Sequence, residues 1–155
     1  MSGIQWEPSV GDTLGGRYEI TDAIGEGGFS VVWRGVDTTT GDTVAIKHPN
    51  PNAGKSWRVV QKYFVRELQV LETIQEHGGH PNIMTLFDEG EERGLDYMIV
   101  EYVDGELLED VGTIDDTDQA ADIAIQICDV FSHLHVHEIY YRDLKPDNIM
   151  LDGSD

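Results

Sequence analysis

Apolar positions change their period along this chain, and the change marks its organisation. Tyr18–Ile24, Val31–Val36 and Thr43–Lys47 are short runs rich in β-branched and aromatic residues, which predict strands. Gly25-Glu26-Gly27-Gly28 separates the first two, and the turn signal Thr40-Gly41-Asp42 separates the second from the third. Tight connections of this kind predict antiparallel pairing. From Val60 onward the spacing becomes three and four, through Phe64, Glu67, Leu68, Leu71 and Ile74. That is a helix, closed by Gly78-Gly79. Ile83–Glu89 and Leu95–Val103 return to strand patterning across the polar turn Glu91–Gly94. A second long helix is predicted from about Asp116 to His137. Its apolar stripe is Ala120, Ile123, Ala124, Ile127, Val130, Phe131 and Leu134, with Asp116 or Thr117 as N-cap. Ile139–Asn148 follows, and then a short strand, Ile149–Leu151. The expected class is α+β: a five-stranded antiparallel sheet with one helix after its third strand, then the start of a helical unit. Residues 1–16 read as a loose lead-in, 17–104 as the sheet unit and 105–155 as the second, with Gly105–Gly112 as the hinge region.

Charge narrows the function classes. Among 155 residues, 30 are acidic and 10 basic, giving a formal net charge of −20. Clustered Lys and Arg are what nucleic-acid phosphates and anionic membranes need, so both partners are unexpected. Asp and Glu are spread along the chain, whereas Lys occurs only at 47, 55, 62 and 145. Two readings stay open: an ordinary solvated surface, or adaptation to a salty cytoplasm. In about 1 M salt the screening length falls to about 3 Å, and crowded carboxylates become tolerable. The single Cys128 cannot form an internal disulfide, which suits a reducing cytoplasm. No stretch reaches the roughly 18 apolar residues of a membrane span, and Met1–Val10 lacks the basic flank and apolar run of a signal peptide.

Three segments carry candidate chemistry. Gly25-Glu26-Gly27-Gly28-Phe29-Ser30-Val31-Val32 lies between two strands; it is either a plain Gly-rich hairpin or a loop whose backbone bends closely over phosphates. It is not a dinucleotide fingerprint, because a strand rather than a helix follows. Val44-Ala45-Ile46-Lys47 places a scarce Lys on a strand, and Glu67 on the helix face is its expected partner. Tyr141-Arg142-Asp143-Leu144-Lys145-Pro146-Asp147-Asn148 gathers an acceptor, a cation and an amide oxygen in one loop. Phosphoryl transfer needs a group that orients a hydroxyl, positive charge near the transferring group and a metal ligand. Gly54-Lys55-Ser56 has the context of a P-loop, but Pro49 stands where its first Gly is required, so it reads as a connector. His133 and His137 share metal-binding spacing without a third ligand, and Cys128 reads as core rather than reactive.

Taken in order, these segments resemble the eukaryotic-type Ser/Thr protein kinase family, which also occurs in bacteria and archaea. The resemblance covers about residues 17–155. Gly15-Gly16-Arg17-Tyr18-Glu19-Ile20, Arg66-Glu67-Leu68, His80-Pro81-Asn82-Ile83 and Val100-Glu101-Tyr102-Val103 match further family positions. It implies a kinase N-lobe followed by the first part of a helical C-lobe. It implies ATP and Mg2+ as cofactors and a protein Ser or Thr hydroxyl as acceptor. Lys47 would hold the α- and β-phosphates, with Glu67 fixing its position. The glycine loop would comprise Gly25, Glu26, Gly27, Gly28, Phe29, Ser30 and Val31. Ile24, Val32 and Ala45 would roof the adenine and Met150 would floor it. Val100 would be the gatekeeper, with backbone groups of Glu101 and Val103 bonding the base. Asp143 would orient the substrate hydroxyl, Lys145 would stabilise the γ-phosphate, and Asn148 would bind magnesium. Small-molecule phosphotransferases, which share the Asp and Asn, are the lesser reading.

Departures accompany the resemblance. Ser30 replaces the third glycine, Tyr141 replaces the usual His, and Glu76–Gly79 looks like a small insertion. The sequence ends at Asp155, short of the family's Asp-Phe-Gly motif, which would follow within about another ten residues, and of the activation loop and most C-lobe helices; Asp152 and Asp155 are poor substitutes for the motif's Asp. The isolated chain is therefore expected to transfer phosphate poorly, and the helix at 116–137 to need a partner for its stripe. Three outcomes follow: a kinase completed by a partner chain, a catalytically inactive nucleotide-binding or interaction module, or a nonfunctional fragment.

Overall fold

The computed structural model describes residues 6–153; the first five residues of the lead-in, and Asp155, lie outside them. The chain divides into two compact units, one holding residues up to His77 together with Met84–Tyr102, the other Gly78–Ile83 together with residues from Val103 onward.

In the first unit six antiparallel strands form one sheet. They are β1 (Thr13–Leu14), β2 (Tyr18–Glu26), β3 (Ser30–Asp37), β4 (Thr43–Pro49), β5 (Leu86–Glu92) and β6 (Leu95–Glu101). Their spatial order is β1-β2-β3-β4-β6-β5, and helix α1 (Trp57–Glu76) lies between β4 and β5 in sequence. The sequence pattern gave five strands; the sixth is β1, in what reads as lead-in. Two residues are too short to show a period. Leu14 is nonetheless 1% exposed, and the Gly15-Gly16 pair at φ 57° and 65° turns the chain so that Leu14 pairs with Tyr18.

Side chains alternate across the sheet and build a core on each face. Val44, Ile46, Tyr97 and Ile99 join Leu14, Tyr18 and Ile20 on one side. Ala45, Met98 and Val100 point to the other, where Phe64 of α1 meets them, flanked by Val32, Leu68 and Leu71. Gly35 admits a close backbone approach: a Cβ there would sit 2.5 Å from Ile46 Cδ1 and 2.7 Å from the Glu19 carbonyl oxygen. The β3–β4 turn is fixed by Arg17, whose guanidinium donates twice to Asp37 at 2.9 and 2.7 Å. Those bonds hold the Asp37 carboxyl down to about 2. His48 is buried, accepts from Trp33 Nε1 at 2.9 Å and lies 2.8 Å through Nδ1 from the Pro49 carbonyl. Burial lowers its pKa and favours the neutral ring.

The sequence placed the fourth strand at Ile83–Glu89, whereas β5 spans Leu86–Glu92. Ile83 instead closes a turn by donating its N–H to the His80 carbonyl at 3.1 Å. Arg93 and Gly94, at φ 52° and 83°, then make the two-residue turn into β6. Positive φ at both positions is the geometry that suits a tight hairpin.

In the second unit β7 (Gly105–Leu107) pairs antiparallel with β8 (Met150–Asp152), and α2 (Leu108–Val111) follows β7. The expected hinge at Gly105–Gly112 is thus a strand and a helical turn. Its partner lies more than forty residues away, so local pattern could not reveal it. Helix α3 (Thr117–Val136) begins where Asp116 Oδ1 accepts from the N–H groups of Asp118 at 2.9 Å and Gln119 at 3.3 Å. Its stripe is partly covered: Leu134 is buried, Ile123, Ile127, Val130 and Phe131 are half-buried, and Ala120 and Ala124 are exposed. Cys128, expected in the core, is exposed too. Gly78–Ile83 joins this unit through side chains. His80 Nδ1 accepts from the Asn82 N–H at 3.0 Å, so its Nε2 donates to Asp129 Oδ2 at 3.0 Å; Asn82 Nδ2 donates to Gln126 Oε1 at 2.8 Å. Among the described residues no helix is long and apolar enough to cross a membrane.

Candidate functional site

In the first unit the glycine segment forms the β2–β3 hairpin. Gly25 pairs with Val32 and Glu26 with Val31, and the Gly27 N–H donates to the Ser30 carbonyl at 2.8 Å. Gly25 and Gly28 have no positive φ, and a Cβ on either would meet nothing within 4 Å. The protein's own packing therefore does not demand glycine at these two positions. At the tip, Phe29 stacks on Tyr63 of α1 with centroids 4.3 Å apart, and Lys55 Nζ sits 4.0 Å from the Phe29 ring centre. The connector that mimics a P-loop thus contributes a cation over this ring.

Lys47 lies near the end of β4, level with Val32 on β3 and Met98 on β6. Its ammonium donates to Glu67 Oε1 at 2.5 Å. Val60 and Phe64, each 1% exposed, anchor α1 and so place Glu67 on the turn that follows. The Lys47 side chain is 22% exposed and that of Glu67 42%, so both groups remain reachable from solvent. Ala45 and Val100 are paired across β4 and β6 and both buried. Val31 and Val32 are half-buried and Ile24 is exposed. The Glu101 N–H donates to the Thr85 carbonyl at 2.9 Å, so of its backbone groups only the carbonyl can serve a ligand.

The second unit carries the loop 141–148. It ends in a 3-10 turn, Pro146–Asn148, whose Asn148 N–H donates to the Lys145 carbonyl at 3.0 Å. Pro146 suits the first position of that turn, where no N–H is needed. Asn148 Nδ2 donates to the Asp143 carbonyl at 2.8 Å, to Asp143 Oδ2 at 3.2 Å and to the Tyr141 hydroxyl at 2.9 Å. The amide nitrogen is thereby spent on the loop, which leaves Oδ1 as the acceptor end of the side chain. Lys145 Nζ lies 3.9 Å from Asp143 Oδ2 and 3.3 Å from Asp147 Oδ2. Met150 is half-buried in β8 just after the loop, and Val103 is half-buried just before β7. This loop offers a hydroxyl acceptor, a cation and a hard oxygen donor within a few residues.

Comparison with known proteins decides the family. A model described as "Protein kinase domain" matches residues 18–155. The chain belongs to the protein kinase family. CBL-interacting protein kinase 9 of Oryza sativa subsp. japonica is 36% identical over 150 residues, which are 94% of this chain and 32% of that protein. Serine/threonine-protein kinase PrkC of Bacillus subtilis (strain 168) is 33% identical over 146 residues, 92% of this chain and 22% of its own. A solved structure titled "PpkA-294 apo form" superposes with a TM-score of 0.81 at 24% identity, covering 96% of this chain and 58% of that one. This kinase-family chain thus spans about a fifth to a third of the length of the two kinases.

Asn50 escaped the sequence reading, although it is 3% exposed and bonded to the glycine hairpin. A buried Asn between two prolines was the available signal. Among the described residues no three His, Cys, Asp or Glu side chains gather as a metal cage. The His133 ring lies 4.8 Å from that of His137 and 5.1 Å from that of His80, centroid to centroid.

Proposed function

We propose that this chain is the ATP-binding part of a Ser/Thr protein kinase domain that transfers the γ-phosphate of ATP to a protein hydroxyl. The Lys47–Glu67 pair carries the reading. A cation held at one fixed place beside a glycine hairpin is what the phosphates of a nucleoside triphosphate require. The hairpin supports it, since glycine without a local steric reason leaves room for close approach of a ligand. Ile24, Val32, Ala45, Val100, Val103 and Met150 are the proposed base contacts, with the Glu101 carbonyl accepting from the adenine amine. Asp143 would orient the acceptor hydroxyl and Lys145 would neutralise the γ-phosphate. Asn148 Oδ1 is a hard oxygen donor that fits magnesium, which supplies further charge neutralisation when bound.

Titration of the full-length protein with MgATP tests this. Saturable binding is expected, weakened about tenfold to a hundredfold in Lys47→Ala, the loss of one charged hydrogen-bonding partner. Equal affinity in the variant would refute the role of Lys47. A second reading is nucleotide binding without transfer, since Asn148 is the family's magnesium position among the described residues. Phosphate transfer to a Ser/Thr peptide, assayed beside that titration, separates the two: transfer supports the kinase, and saturable binding without transfer supports the second reading. Completion by a partner chain is a further outcome of the same assay, read when the polypeptide gains activity on mixing.

We further place the protein in a cytoplasm of high ionic strength, where ATP is available and a net charge of −20 is screened. Its melting temperature should then rise with potassium chloride. Indifference to salt would leave the carboxylates as ordinary solvated surface.

A further inference from the structure

Asn50 stands at the point where the β3–β4 ladder ends, just beyond the Ser30–Pro49 pair. It is 3% exposed, and all of its polar groups but the carbonyl are engaged. Its N–H donates to the Phe29 carbonyl at 2.9 Å. Its Nδ2 donates to the Gly27 carbonyl at 2.8 Å and to Glu26 Oε1 at 3.1 Å, while Oδ1 accepts from the Asn52 N–H at 2.8 Å. Such a set defines which end of the amide is nitrogen. Pro51 follows, and a residue before proline is restricted to extended backbone, so the base of this clamp is stiff.

Peptide planarity gives the clamp a consequence. Among the described residues no peptide bond is cis, and in a trans peptide the carbonyl and the next N–H point opposite ways. Drawing the Gly27 and Phe29 carbonyls onto Asn50 therefore turns the N–H groups of Gly28 and Ser30 away from it. Carbonyl oxygens repel phosphate and N–H groups attract it, so a hairpin whose Gly27 and Phe29 carbonyls are held by Asn50 turns fewer acceptors toward a phosphate. We infer that Asn50 is a positioning residue for this hairpin, holding it in the form that receives the phosphates of a nucleoside triphosphate. The inference rests on the nucleotide reading above and adds a residue to it.

Asn50→Asp tests it with little change of shape: both donors of the side chain vanish and a carboxylate faces the Gly27 carbonyl and Glu26. Binding of MgATP and of adenosine to the full-length protein is compared, together with hydrogen exchange at residues 27–30. ATP affinity should fall about tenfold, adenosine affinity should stay within about twofold, and exchange in the hairpin should quicken. A general loss of folding would weaken both ligands alike, which would overturn the inference, as would unchanged exchange. Asn50→Ala should give the same split between ATP and adenosine; if both variants fail to fold, Asn50 is merely structural and the inference falls. Failure of the wild-type protein to bind ATP would instead overturn the nucleotide reading itself, and this inference with it.

Discussion

Replacing Asp143 by Ala in the full-length protein is expected to slow phosphoryl transfer by about 10²–10⁴-fold while ATP affinity stays within about twofold. The carboxylate is held by the loop rather than by burial. Asn148 Nδ2 reaches both its backbone carbonyl and its Oδ2, and Lys145 lies 3.9 Å away. Such a group can accept or orient a hydroxyl proton, whereas ATP affinity is assigned to Lys47 and the glycine hairpin. Steady-state kinetics with a Ser/Thr peptide, beside direct nucleotide titration, check the split. A loss smaller than tenfold would remove Asp143 from the chemistry, and a parallel loss of ATP binding would assign it to the nucleotide instead.

Phe64→Ala carries the second large expectation, a destabilisation of about 3–5 kcal/mol read from the urea midpoint at constant m. Phe64 is 1% exposed and packs against Ala45, Met98 and Val100, so its removal leaves a cavity under α1. Glu67 rides on the same helix one turn later. Glu67→Gln supplies the contrast: an ion pair this open to solvent contributes only about 0–1 kcal/mol, so stability should scarcely move while ATP-dependent activity falls. If both variants were equally unstable, the pair would belong to the scaffold rather than to the proposed site.

Legibility in the sequence followed the range of the interactions. Helix α1 was visible because Val60, Phe64, Leu68 and Leu71 recur with the helical period, and Asp116 was readable as an N-cap because capping is local. The Lys47–Glu67 pair was anticipated from the scarcity of Lys and the position of Glu67 beside the stripe. What stayed hidden depended on distant partners. Thr13–Leu14 became a strand by pairing with Tyr18 and burying Leu14, and Gly105–Leu107 by pairing with Met150–Asp152. Cys128 faces outward on a helix whose stripe is only partly covered. Asn50 acts through acceptors some twenty residues earlier in the chain, a relation that no periodicity records.

The grouping of Gly78–Ile83 with residues beyond Val103 bears on how such a protein can be taken apart. The polypeptide leaves the sheet unit after His77, returns at Met84 and leaves again after Tyr102. Neither half is one uninterrupted stretch of gene. Truncation at residue 102 would strand a six-residue segment without His80's acceptor on Asp129, so dissecting or recombining these halves as separate modules requires splicing out that excursion with a short linker.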